Sequence, residues 1–169
     1  VDIDNDMALE AVLMGELDVI MKESSDEIVE EIKKNIQEVV YNPFDPVAYD
    51  RLGENGGLLG SWLKLKTDDS IRNIEYTIYS EPSLMAYNPE NFQHGSLYAD
   101  YISDVRESLI DIIINGKSGP YFDFGKEPHW WKEPRDFWTP SVENTKASFL
   151  NNFIFKLHTR IGWDVHITV

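Results

Sequence analysis

The sequence predicts an α+β domain, with a long N-terminal helix and later helices packed on a small antiparallel β-sheet. Three observations predict it. Apolar residues recur at helical spacing through the first forty positions, period-two alternation follows residue 58, and helical spacing returns before Gly116 and after Thr139. Helices and a small sheet in mixed order are the pattern of an α+β fold. At 169 residues the chain has the usual size of a single domain, and such a domain hides roughly 70% of its unfolded surface. A hydrophobic content of 42% with 12% aromatic residues argues against disorder along most of the length.

In the first forty residues Leu9, Leu13, Leu17 and Ile20 share one helical face, and Ile28, Ile32, Ile36 and Val39 continue the stripe. Ser24 with Glu27 three positions later forms a capping-box pattern, which predicts a bend and the start of a second helix there. Residues 42–57 read as a loop from their Pro, Asn, Asp and Gly content. Leu59, Ser61, Leu63 and Leu65 then alternate with Gly60, Trp62, Lys64 and Lys66, and Ile74, Tyr76 and Ile78 alternate with polar neighbours, so two strands are expected with a hairpin loop at Thr67 to Ser70. Glu81 to Ser96 is irregular. Tyr98, Tyr101, Ile102, Val105, Leu109, Ile112 and Ile113 predict an amphipathic helix ended by Gly116. A further helix is expected from Thr139 as N-cap with Pro140 in first position, presenting Val142, Phe149, Leu150, Phe153 and Leu157 on one face. Trp163, Val165, Ile167 and Val169 predict a closing strand.

Charge narrows the function. Thirty acidic against fifteen basic residues give a net charge of -15, which makes nucleic acid a poor partner. Residues 1–40 hold twelve acids and three lysines, a net of -9, against -6 for the remainder. That acidic arm reads either as a solvated face or as a docking surface for a basic partner. No apolar run approaches the roughly 20 residues that span a bilayer, and no basic start followed by an apolar stretch marks a secretory signal, so a soluble protein is expected. The absence of cysteine excludes disulfides and thiolate chemistry and fits a reducing compartment.

No catalytic signature stands out. Histidines at 94, 129, 158 and 166 form no pair at metal-ligand spacing, no glycine loop ends in Lys followed by Ser or Thr, and no Gly-x-Ser-x-Gly elbow occurs. No metal, cofactor or catalytic residue is therefore expected. Acids near aromatics, among them Asp123, Glu127 and Glu133, leave a carbohydrate-active enzyme as a distant alternative. Two turn-rich segments carry the more distinctive pattern. From Tyr41 to Trp62, Gly53, Gly56, Gly57 and Gly60 give backbone freedom beside Pro43 and Pro46. From Ser118 to Pro140, Tyr121, Phe122, Phe124, Trp130, Trp131, Phe137 and Trp138 crowd among four prolines. Aromatics on such segments either close a core from outside or anchor a partner. A cytosolic binding module that uses them is the second reading.

Tyr49-Asp50-Arg51 followed by Gly56-Gly57-Leu58-Leu59-Gly60-Ser61 resembles the Tyr-x-Arg, Gly-x-Leu-x-x-Ser signature of the tail-completion or head-tail joining proteins of long-tailed bacteriophages. Phe92-Gln93-His94-Gly95-Ser96 looks like that family's segment ending in Gly and a small hydroxyl residue. Pro134-Arg135-Asp136-Phe137-Trp138-Thr139-Pro140 is similar to its Pro-Arg-x-Phe element opening the last helix. The resemblance covers roughly residues 25–157. Leu52 replaces a small hydroxyl residue, Glu54-Asn55-Gly56 looks inserted, and so does a helix between Ser96 and Gly116. Residues 1–24 then form an acidic helical extension and 25–169 a single domain.

The resemblance implies a structural role in the virion at the head-tail junction, after synthesis in the cytoplasm of the bacterial host. Copies would form a ring linking the tail tube or its terminator to the neck and connector, without membrane contact. A ring needs two different complementary patches on each subunit. The interface candidates are Tyr49, Arg51, Trp62, Tyr121, Phe124, Trp130, Trp131, Arg135 and Trp138. For Arg51 and Arg135 the competing reading is a buried ion pair or carbonyl clamp that holds their own loops. The tryptophans suit a core and an interface hot spot equally.

Overall fold

The computed structural model describes residues 6–43, 55–70, 73–85, 110–111, 113–116 and 134–162. The fold is α+β: a long N-terminal helix and a C-terminal helix pack with a two-stranded antiparallel sheet. Helix α1 (Asp6–Asn35) follows the apolar stripe, with Ile20, Val29 and Ile32 buried and Leu13, Leu17 and Ile28 half-buried. It runs without a break through Ser24, where the sequence predicts a new start. Both Ser24 and Ser25 are buried, and the Ser25 hydroxyl donates to the carbonyls of Met21 (2.5 Å) and Lys22 (3.1 Å). A hydroxyl bonded back along its own helix satisfies itself without opening a terminus. A wider turn, Ile36–Tyr41, follows, in which the Asn42 N–H donates to the Gln37 carbonyl at 2.8 Å, the five-residue spacing of a π-helix.

Strands β1 (Trp62–Ser70) and β2 (Asn73–Ser80) form the sheet. Two expectations shift. Leu59–Ser61 is a 3-10 turn, so the strand begins at Trp62; and Thr67 to Ser70 belongs to β1 and is no loop. Thr67 holds the pairing there, its hydroxyl donating to Glu75 at 3.0 Å and lying 3.2 Å from that of Thr77. In β2, Ile74, Tyr76 and Ile78 are half-buried while Asn73, Glu75 and Thr77 are exposed, as period two requires. In β1 the lysine parity is the covered one: Lys64 and Lys66 are half-buried and Leu65 is 54% exposed.

Helix α2 (Trp138–Ile161) begins at Trp138, because Asp136 and not Thr139 supplies the cap. Its carboxylate accepts from the backbone N–H groups of Trp138 (3.0 Å) and Thr139 (2.9 Å). Val142, Phe149, Leu150 and Phe153 are half-buried and Leu157 buried, the face expected. Gly162, at φ 75°, ends the helix with its N–H on the His158 carbonyl at 2.9 Å. Residues 113–115 are helical and Gly116 closes them at φ 67°. The earlier part of that helix, the strand at 163–169 and most of the two turn-rich segments lie outside the described residues.

The chain divides into two compact units, residues 1–31, 63–79 and 142–169 in one, residues 32–62 and 80–141 in the other. In the first, α1 lies between cations from both other elements. Lys66 pairs with Asp18 at 3.0 Å, Lys64 pairs with Asp26, and the Lys64 amine donates to the Lys22 carbonyl at 3.0 Å. From α2, Lys156 meets Glu27 at 2.8 Å, while Arg160 pairs with Glu23 and reaches Glu16 at 3.6 Å. Asn144 donates to Glu31 at 2.8 Å, so residue numbers rise along α2 as they fall along α1 and the helices are antiparallel. Much of the charge on the acidic arm is thus met inside its own chain. This also explains the parity of β1: lysine stems cover apolar surface while their amines reach the carboxylates of α1.

Candidate functional site, an aromatic corner built by two motif segments

The second unit contains the part of the sequence motifs that the structure describes. Residues 55–58 form a turn with Gly56 at φ 89°, a left-handed conformation that a side chain would strain. Leu58 and Ser61 are both buried. The Ser61 hydroxyl donates to the Leu58 carbonyl at 2.8 Å and lies 2.8 Å from that of Ser80. The Glu81 N–H adds a bond to the Ser61 carbonyl at 2.8 Å. Ser61 therefore ties the glycine-leucine turn to the end of the hairpin, which accounts for a small hydroxyl residue in that place. The Glu81 carboxylate accepts from the Ser83 N–H at 3.1 Å, opening the short turn Pro82–Leu84. Hydrogen bonding from Ser83 holds its carboxyl below the usual range.

The Pro134 to Pro140 segment is organised with equal economy. The Arg135 N–H donates to the Ile113 carbonyl at 2.7 Å, and its guanidinium Nη1 donates to the Val40 carbonyl at 3.3 Å. That second bond supplies a donor to a carbonyl in the wide turn after α1. Asp136 caps α2, and hydrogen bonding from Thr139 holds its carboxyl below its ordinary 3.8. Phe137 is fully buried, and the Ser141 hydroxyl donates back to the Phe137 carbonyl at 2.6 Å.

The two segments, about 75 residues apart in sequence, meet at Trp62. Its indole stands edge-on to Phe137, with centroids 6.1 Å apart at 85°, and stacks on Trp138 at 5.8 Å and 16°. Both are favoured aromatic arrangements. Trp62 is buried, whereas Trp138 is 39% exposed. The Trp62 Nε1–H is buried and meets no acceptor among the described residues.

Of the nine interface candidates, the structure brings together Trp62, Arg135 and Trp138. Trp62 sits in the core, Arg135 clamps a carbonyl of its own chain, and Trp138 keeps a free edge. Tyr49, Arg51, Tyr121, Phe124, Trp130 and Trp131 lie outside the described residues. Sequence reasoning overlooked Asp136, although an aspartate just ahead of a proline-containing first turn is a cap signal. It also overlooked the Tyr76 hydroxyl donating to Asp18 at 2.9 Å, which no sequence spacing announces. Among the described residues no group of three or more His, Asp or Glu is placed to hold a metal ion. No helix among them is long and apolar enough to cross a membrane.

Fold and site together define an α+β protein in which Trp62, Phe137 and Trp138 form an aromatic cluster beside two motif segments. The chain belongs to the YomN family, whose model matches residues 5–159. No curated protein and no solved structure is significantly similar to it.

Proposed function

We propose that this chain is a structural protein of the head-tail junction in a long-tailed bacteriophage, joining the tail tube or its terminator to the connector as a ring of identical subunits. One observation supports the reading above the others. Trp62, the residue that follows the Gly56 to Ser61 motif, packs on Phe137 and Trp138 of the Pro134 to Pro140 element, so the two elements that carry the resemblance to head-tail joining proteins lie side by side. Short motifs matched by chance have no reason to meet in one cluster. Arg135 and Asp136 hold the segment from within, and Trp138, 39% exposed, is the member of the aromatic cluster that can contact a neighbour. Tryptophan is enriched among the residues that anchor protein interfaces.

Immunogold electron microscopy of particles from the virus that encodes the chain tests the proposal. Label concentrated where head meets tail is expected, and complete particles without label would overturn it. A second arm uses Trp138→Ala. The variant should stay folded, lose on the order of 1 kcal/mol with the Trp62 stack, and yield separate heads and tails, whereas full yield of joined particles removes Trp138 from the interface.

A further inference from the structure

Among the described side chains, those exposed on the first half of α1 are uncharged. Ala8, Leu9, Ala11, Val12, Gly15 and Val19 are all exposed, Val12 at 55%, Leu9 at 45% and Val19 at 39%. Ala8, Val12, Gly15 and Val19 follow the four-three-four spacing of a helical seam, in line with Lys22 and Asp26 further along. A Cβ added at Gly15 would meet nothing within 4 Å. Three of the nearby acids are drawn to the flanks. Asp18 is drawn to Lys66 and Tyr76 on one flank, and Glu16 and Glu23 to Arg160 on the other. A surface helix ordinarily shows the reverse, with charge outward and apolar residues inward. In a chain of net charge -15, an uncharged outward stripe is suited to another uncharged stripe.

We infer that α1 pairs with α1 of a second copy of this chain, antiparallel across a two-fold axis beside Gly15. The stripe is self-complementary only in that sense. With the axis midway between positions 15 and 16, Val12 of each copy lies against Val19 of the other, and the two glycines flank the axis, where they let the backbones approach closely. The same register carries the exposed Lys22 of each copy alongside the first turn of the other helix, which begins at Asp6. A parallel pair would instead align like with like, Lys22 against Lys22. The pairing belongs to the free chain and does not depend on the head-tail assignment.

Sedimentation equilibrium of the full chain tests it. A reversible dimer with a dissociation constant on the order of micromolar is expected, since one helical seam is smaller than a standard interface of about 1,600 Å². Val12→Glu alone and Val19→Lys alone should each sediment as monomers while keeping the helical circular dichroism of the parent. Mixed together they should restore the dimer, because antiparallel register sets the carboxylate introduced in one variant against the amine introduced in the other. A parent chain that stays monomeric at hundreds of micromolar would overturn the inference, as would single variants that still dimerise. A mixture that stays monomeric would overturn the antiparallel register. Binding of the parent chain to neutral lipid vesicles without self-association would assign the face to a membrane surface instead.

Discussion

The two units differ in the polar contacts that surround their buried residues. In the first, Ile20, Val29 and Leu157 are buried, and residues of α1, the hairpin and α2 also meet through partly exposed ion pairs: Lys64 with Asp26, Lys66 with Asp18, Lys156 with Glu27, and Arg160 with Glu23. In the second, Ile36, Val40, Trp62, Ile113 and Phe137 are buried, and polar groups serve as clamps and caps on the backbone. The difference teaches where specificity comes from. Exposed ion pairs contribute about 0.2–1 kcal/mol each, so a row of them selects register and orientation more than it stabilises. A buried aromatic contributes several times that through surface removed from water and close packing.

The comparison breaks most visibly at Phe137. Phe137→Ala should cost about 3–5 kcal/mol through the cavity it leaves, read from the urea midpoint; a loss under about 1 kcal/mol would mean that the corner is loosely packed. Next comes the cap. Asp136→Ala should cost about 1 kcal/mol by removing the acceptor for two N–H groups of α2, with Asp136→Asn recovering most of it. Circular dichroism melts of both variants check this. Smaller still, Lys64→Met should cost under about 1 kcal/mol in 0.1 M salt, and the difference from the parent should vanish near 1 M salt, where charges are screened within about 3 Å. A cost independent of salt would assign the role of Lys64 to its hydrocarbon stem.

Single titrations sharpen the picture last. Hydrogen bonding from Lys66, joined by Tyr76, holds the Asp18 carboxyl below its ordinary 3.8, and Thr139 does the same for Asp136. A folded-state value below the unfolded one adds stability that is present above about pH 4 and lost as pH falls through the lower folded value. Acidification should therefore loosen both units. Asp18→Asn should flatten the acid limb in hydrogen exchange of the hairpin, and an unchanged limb would remove Asp18 from the linkage.

The sequence by itself determined the element types. The apolar periods of residues 9–36, 74–78 and 142–157 produce helix, strand and helix, since a repeat of 3.6 or 2 places apolar groups on one side whatever they pack against. A Pro-Arg-x-Phe element opening the last helix and a helix stop at Gly116 were legible too, whereas the stop at Gly162 emerged only in the structure. Tertiary structure decided the rest. At Ser24 the capping pattern is overridden: Ser24 is buried within a continuous helix and accepts from the Lys156 amine at 3.4 Å, while its neighbour Ser25 bonds back along the helix. In β1, both parities carry apolar stems, Leu63 and Leu65 on one side and Trp62, Lys64 and Lys66 on the other. The carboxylates of α1 chose the lysines, an outcome that depends on a surface distant in sequence. The aromatic corner was legible only as two separate motifs, because nothing local says that Trp62 and Phe137 meet. Periodicity is a property of one segment, whereas the choice of face is a property of two, and only packing brings the second into play.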